Sequence, residues 1–326
     1  MLSLNKLKSE KKIGINRLHA IIFFPFSNCH FILPLHHGKR LDRSEFKKPE
    51  TLKVLVRRSI TGIAFAAIML AGIIIHQYIF AIVFAVFLML TLFEFYKISE
   101  NIGYEPSAKI GLICGLLLFI IFFLAASHVI PKEYIYLSIL IPLFTLLPDL
   151  FDKRKDGFKN SMITIAGIIY IALPYSLLSF IIYPGNDANS EFYPWVLIGI
   201  FLIIWMYDSM AYVFGSMLGK HKICERISPK KSWEGLVGGA VFAVIMGIVN
   251  SIFFKELSIT NWIIIALLIV TFGTSGDFFE SKLKREAGVK DSGNILPGHG
   301  GLLDRFDTML FAAPVIFVWI TLFGNI

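Results

Sequence analysis

Five carboxylates fall within or at the edge of apolar stretches of this sequence: Glu94, Asp208, Asp277, Asp304 and Asp307. An ionisable group at membrane depth usually faces a bundle interior or an aqueous cavity and marks a functional path. Each acid could instead snorkel or pair with a loop lysine, a reading that suits Glu94 best and suits Asp277 and Asp304, beside a charged loop, least. Carboxylates close to several Lys and Arg can hold a hard cation, and magnesium takes one or two carboxylates together with waters and substrate phosphates. In such a pocket the bases hold phosphate oxygens, the acids hold the cation, and the cation joins them. Without a phosphate ligand the same mixture would be self-neutralising salt bridges.

The bases come from two loops. Residues 219–235, GKHKICERISPKKSWEG, offer Lys220, His221, Lys222, Arg226, Lys230 and Lys231 ahead of a new helix, whose entrance suits Pro229 and Ser232. A helix amino terminus beside lysines makes an anion site, although an ordinary positive-inside loop would carry similar charge. GSMLGK is not a phosphate loop of the Walker type: three residues, not four, separate Gly215 from Gly219, and His221 follows Lys220. The second loop lies within SKLKREAGVKDSGNILPGHGGLLDRFD, residues 281–307. Its glycines let backbone N–H groups approach a ligand closely, and His299 among them is expected to touch that ligand.

These groups need a scaffold, and the rest of the chain supplies apolar helices. The 326 residues are 56% hydrophobic and include thirty-one Phe, which excludes an ordinary soluble domain. Crossing the hydrocarbon layer takes roughly 20 mostly apolar helical residues. About nine such runs occur, near 58–75, 78–97, 108–130, 134–151, 161–183, 193–218, 235–254, 260–280 and 306–325. The expectation is an all-α polytopic membrane protein with about nine transmembrane helices. A net charge of +8 would suggest nucleic acid in a soluble protein, but its distribution over alternate loops points to a lipid bilayer, and no nucleic-acid partner is expected. The cysteines, Cys29, Cys114 and Cys224, have no CxxC spacing and predict neither a zinc site nor a disulfide framework.

With nine spans, Lys132 and Lys255 are the only basic residues outside the amino-terminal side of the membrane. The positive-inside rule then places the amino terminus in the cytoplasm, the carboxyl terminus outside, and both charged loops on the cytoplasmic face. All five acids converge on that half. Residues 1–56 are expected to be a basic cytoplasmic tail resting on anionic lipid, or leader sequence upstream of the true start, with the membrane domain covering 57–326. Gly111/Gly115, Gly215/Gly219 and Gly235/Gly239 permit close helix packing, within one chain or between copies.

Residues 281–307 resemble the signature of the phosphatidate cytidylyltransferases through Ser281, Leu283, Lys284, Arg285, Lys290, Asp291, Gly293, Leu296, Pro297, Gly298, His299, Gly300, Gly301, Asp304, Arg305 and Asp307. The run from Asp208 through Ala211, Tyr212, Gly215 and GKHK to SPKKSWEG is similar to the same family, with Ser232 where Thr is more usual. The likeness is strong over 195–310, general in hydrophobic character over 55–195, and absent before. It implies transfer of CMP from CTP to phosphatidate, at an active site facing the cytoplasm in the plasma (inner) membrane of a bacterium, by a homodimer. It further implies Mg2+ on Asp277 and Asp304, with K+ as an optional second cation. Catalytic roles would fall to Lys284, Arg285, Lys290, Asp291, His299, Arg305 and Asp307. Substrate binding would fall to Asp208, Lys220, His221, Lys222, Ser228, Lys230, Lys231, Gly298, Gly300 and Gly301. A transporter using membrane-depth acids, or a transferase with another lipid acceptor, are the alternatives the residues leave open.

Overall fold

The computed structural model describes residues 52–147, 156–183, 191–296, 298 and 300–324, with side chains from Ile60 onward. Residues 1–51 of the tail expected over 1–56, most of the acidic connection near 185–191, and His299 lie outside the described residues.

The chain is all-α apart from one small hairpin among the described residues. Helix α1 is Leu52–Ile74, α2 is Gln77–Ile102 and α3 is Ala108–Ala126. A 3-10 helix, Lys132–Leu140, leads into the short α4, Ile141–Leu146. Next, α5 (Gly157–Gly167) and α6 (Leu173–Ile181) form one rod through a wide π turn at Ile168–Ala172. Helix α7 is Trp195–Leu218, β1 is Lys222–Cys224, β2 is Ser228–Ser232 and α8 is Trp233–Phe253. Helices α9 (Ile259–Leu268) and α10 (Thr274–Glu286) share a second π turn at Ile269–Gly273, and α11 is Leu303–Phe323. Among the described residues, seven rods are long and apolar enough to cross a membrane, and α1 adds a shorter apolar stretch, Ile60–Ile74.

The span expected at 134–151 is not one long α-helix. Its 3-10 part rises about 2 Å per residue against 1.5 Å in an α-helix, so Lys132–Leu146 reach about 27 Å. That is close to the roughly 30 Å hydrocarbon thickness. The contacts at both ends fit a return of the chain along the bundle. Beyond this segment Ser161 Oγ donates to Thr145 O at 3.1 Å. Close by, Asn160 Oδ1 accepts from Glu105 N–H at 2.9 Å and Thr164 Oγ1 from Ser107 N–H at 3.0 Å. Those bonds place the start of α5 beside the α2–α3 connection. At the opposite end the Tyr183 hydroxyl donates to Gln77 and the Tyr193 hydroxyl to Glu256. Burial and that glutamate push the Tyr193 hydroxyl up to about 12, so it stays a neutral donor.

Aromatic rings fill the centre. Phe306 on α11 is buried and meets Phe65, Phe87, Tyr175 and Phe201, with ring centroids 5.2 to 6.4 Å apart. Large apolar side chains such as Ile63, Ile82, Ile252, Phe253 and Leu322 remain exposed on the outer faces, as lipid-facing residues would. The glycine pairs act within the chain: Gly111 faces Tyr96, Gly115 faces Leu92, and Gly235 and Gly239 lie against Ala211 on α7. A Cβ on Gly235 would come 2.7 Å from Ala211 O, so α7 and α8 are in backbone contact there.

Candidate active site

The hairpin after α7 presents the lysines. Strands β1 and β2 pair antiparallel, Lys222 opposite Ser232 and Cys224 opposite Ser228, with an irregularity between these two pairs. Buried Cys224 anchors the hairpin, and the Ser232 hydroxyl caps α8 by accepting from Gly235 N–H at 3.2 Å. With α8 docked on α7, Lys222, Lys230 and Lys231 line a cavity of about 640 Å3.

The acids come from α7, α10 and α11. In DRFD, Phe306 is the core anchor, which leaves Asp304, Arg305 and Asp307 on the faces of α11 that border cavities. Two glycines bring α10 against α11. A Cβ on Gly273 would meet Thr308 Cγ2 at 2.5 Å, and one on Gly276 would meet Asp307 O at the same distance. The helices therefore touch at the level of Asp277. One carboxylate oxygen from each of Asp277, Glu280 and Asp307 lies within 4.8 Å of the others. The π turn just before α10 helps to set this face, because one residue inserted into a helix rotates the rest of that helix by about 100°.

Lysines partly neutralise the acids. Lys231 pairs with Asp277 and sits 4.6 Å above the Phe278 ring centre. The Lys284 ammonium lies 2.6 Å from Glu280 Oε2 and 2.5 Å from Asp304 Oδ1. Its contact with Glu280 is not aligned as a hydrogen bond, and Glu280 Oε1 is buried without a donor. Asp304 Oδ2 accepts from Ser292 N–H at 2.9 Å, the Ser292 hydroxyl at 2.9 Å and Gly301 N–H at 2.8 Å. The oxygens grouped with Asp277 thus come from Glu280 and Asp307, whereas those of Asp304 are held by Lys284 and the loop.

Asp208, Lys222, Lys230, Lys231, Asp277, Asp304 and Asp307 all border the larger cavity. A second cavity of about 220 Å3 is lined by Asp208, Asp304, Arg305 and Asp307 together with apolar α1 and α7 residues, among them Phe65, Met69 and Ile204. Three acids thus stand in the wall common to both chambers. Lys284 supports that wall through Asp304, and Gly301 through its N–H. Other expected residues lie away from the larger cavity. Lys220 is exposed, and exposed His221 pairs with Glu234 at 2.6 Å. Ser228 pairs within the hairpin, and Arg285 donates to Val289 O at 3.2 Å. Lys290, Asp291 and Gly298 are exposed. Gly298 and Gly300 have φ of 83° and 80°, a region that favours glycine, and a Cβ on Gly300 would also stand 2.5 Å from Asp304 Oδ2.

Sequence reasoning missed Glu280, Glu94 as a loop contact, Ser292 and the Tyr207–Thr274 hydroxyl pair between α7 and α10. Glu280 had a signal, since it lies three residues after Asp277 and such positions neighbour each other on a helix. The Ser292 contacts had none, because they cross from one segment to distant ones.

Fold and site together define a helical membrane protein with a lysine-bordered, acid-walled cavity at one end of the bundle. The chain belongs to the cytidylyltransferase family, which it matches over residues 56–323. It is similar to the phosphatidate cytidylyltransferase of Staphylococcus saprophyticus, 37% identical over 187 residues that make up 57% of this chain and 67% of that one. The protein of the same name from Staphylococcus haemolyticus is 34% identical over 192 residues, 58% of this chain and 69% of its own. That from Staphylococcus aureus strain COL is 35% identical over 187 residues, 57% and 67% of the two chains.

Proposed function

We propose that this chain transfers the cytidylyl group of CTP to phosphatidate, giving CDP-diacylglycerol and pyrophosphate. Family membership supports the reaction, and the observation that carries it onto this structure is the larger cavity, where three lysines face Asp208, Asp277 and Asp307 at one end of an apolar bundle. An oxygen of the lipid phosphate attacks the α-phosphorus of CTP. The bond from that phosphorus to the oxygen bridging the β-phosphate breaks, and pyrophosphate leaves with the electron pair. A phosphate monoester has a second pKa of roughly 6 and is already largely ionised near neutral pH, so no strong base is required. Alignment and cancellation of charge are the main demands.

Lys222, Lys230 and Lys231 offset triphosphate charge from the hairpin side. Arg305, bordering the smaller chamber, does the same for the lipid phosphate. Asp277, Glu280 and Asp307 fit a divalent cation, Mg2+ in our reading, because three carboxylates converge there and one buried Glu280 oxygen has no donor. When bound, the cation supplies positive charge to the phosphate oxygens and to the leaving pyrophosphate. Asp304 is retained as a candidate through its place in the same wall. The site faces the cytoplasm of a bacterial plasma membrane in this reading, and the chain works as a homodimer.

Incubating the purified chain with CTP labelled at its α-phosphate, phosphatidate and Mg2+ tests the reaction. Label is expected in a CDP-lipid with one pyrophosphate released per lipid, and a lipid fraction without label would overturn the reading. Labelling a Lys220→Cys variant whose Cys29, Cys114 and Cys224 are replaced by Ser, from either side of sealed vesicles of known orientation, tests the topology, and modification from the extracytoplasmic side alone would reverse it.

A further inference from the structure

Glu94 is the membrane-depth acid that the proposed reaction leaves without a task. It lies on α2, far in sequence from the signature, and is only 2% exposed. A carboxylate at such depth is costly unless something holds it. Its Oε2 accepts from Leu303 N–H at 2.9 Å and from the Ser292 hydroxyl at 3.1 Å, while Oε1 has no donor. Ser292 connects it to the site: the same hydroxyl is 2.9 Å from Asp304 Oδ2. One hydroxyl carries one proton, so it donates to one of the two carboxylates at a time and couples their positions.

The loop is shaped around this acid. A Cβ on Gly293 would stand 2.3 Å from Glu94 Oε1, and one on Gly301 would stand 2.3 Å from Oε2 and 2.1 Å from Ser292 Oγ. Neither has the positive φ of Gly298 and Gly300, so it is space for Glu94 that demands glycine at 293 and 301. Ser292, Gly301, Leu303 and Asp304 form one hydrogen-bonded knot, and Glu94 ties that knot to another helix.

We infer that Glu94 is a positioning residue for cytidylyl transfer: by gripping Ser292 and Leu303 it fixes the loop at Ser292 and Gly301 against α2 and so holds Asp304, and through it Lys284, in the cavity wall. This rests on the reaction proposed above. Glu94 touches no reacting atom in this account. Its loss should slow turnover while leaving the lysines that meet CTP in place.

The test compares Glu94→Ala, Glu94→Gln and Gly293→Ala in the full chain. Glu94→Ala is expected to lower kcat about 100-fold, the scale of a misplaced site group, with the CTP KM within about threefold of wild type. Trypsin cleavage after exposed Lys290 should accelerate about tenfold, as a loop losing its tether opens more often, while Tm stays within about 3 °C. Glu94→Gln keeps an acceptor for Leu303 N–H and should recover kcat to within about fivefold of wild type. Wild-type kcat in Glu94→Ala, or equal damage from Gln and Ala, would overturn the inference. If Glu94→Ala fails to fold, Gly293→Ala decides, because its methyl would press on Glu94 alone from the loop side, without touching Asp304 or its donors. Reduced kcat with normal CTP KM and faster loop cleavage supports the inference, and wild-type kcat overturns it. A wild-type chain that makes no CDP-lipid would sink the proposed reaction instead, while the trypsin comparison still reads the tether.

Discussion

The hairpin at 222–232 and the junction of α10 with α11 face each other across one cavity but are built in opposite ways. The hairpin offers long flexible cations from a short exposed ribbon, held mainly by Cys224 and the Ser232 cap. The junction holds carboxylates between helices in backbone contact, with loop donors fixing Asp304. Flexible cations can follow a polyphosphate as it enters, and each exposed one contributes modestly. Acids fixed between packed helices must be in place beforehand, since a small misplacement near a reacting phosphorus is costly. The two halves should therefore differ sharply in their response to mutation.

The largest effect is expected at the acids. Asp277→Asn and Asp304→Asn should each cut kcat by about 1000-fold or more while the chain still inserts and folds, because both remove charge from a preorganised site. Steady-state CDP-lipid formation checks this, and normal turnover would remove Asp277 and Asp304 from the site. Gly276→Ala comes next, with kcat lower by about 100-fold although no charged group is altered, since its methyl would meet Asp307 O at 2.5 Å and force the helices apart. Wild-type kcat there would show that the junction tolerates slack.

Smaller effects are expected on the hairpin. Lys231→Ala should raise the CTP KM about tenfold and Lys222→Ala somewhat less, both changes shrinking at high salt. Lys220→Ala and His221→Ala, whose side chains lie outside the cavity, should change either constant by no more than about threefold. Damage from Lys220→Ala equal to that from Lys231→Ala would erase the distinction between lysines that line the cavity and lysines that only decorate the loop.

The contrast also explains why some features were legible in the sequence and others were not. Apolar run length revealed the helical membrane class, because lipid leaves the backbone no other local solution. It missed the form of the segment after α3, since hydropathy does not distinguish a stretched 3-10 helix from a longer α-helix. Asp208, Asp277 and Asp307 stood out as charges in apolar surroundings, and the structure brings them to one cavity. The glycines at 298 and 300 announced a special backbone, whereas those at 293 and 301 owe their identity to an acid two hundred residues away, a dependence no local pattern encodes. Lys220 and His221 looked as promising as Lys222 and Lys231 because composition cannot say which face of a hairpin turns inward. The partners of Asp304 were hidden for the same reason: they are set by where a loop folds back.

Searches for enzyme sites follow reactive groups, yet Asp277 and Asp307 meet here because Gly273 and Gly276 contribute nothing but room. A lineage drifting by a single methyl at either position could lose the chemistry while every charged residue in its motif stayed intact. Such a sequence would still carry the full signature, and counting signature residues would misjudge it.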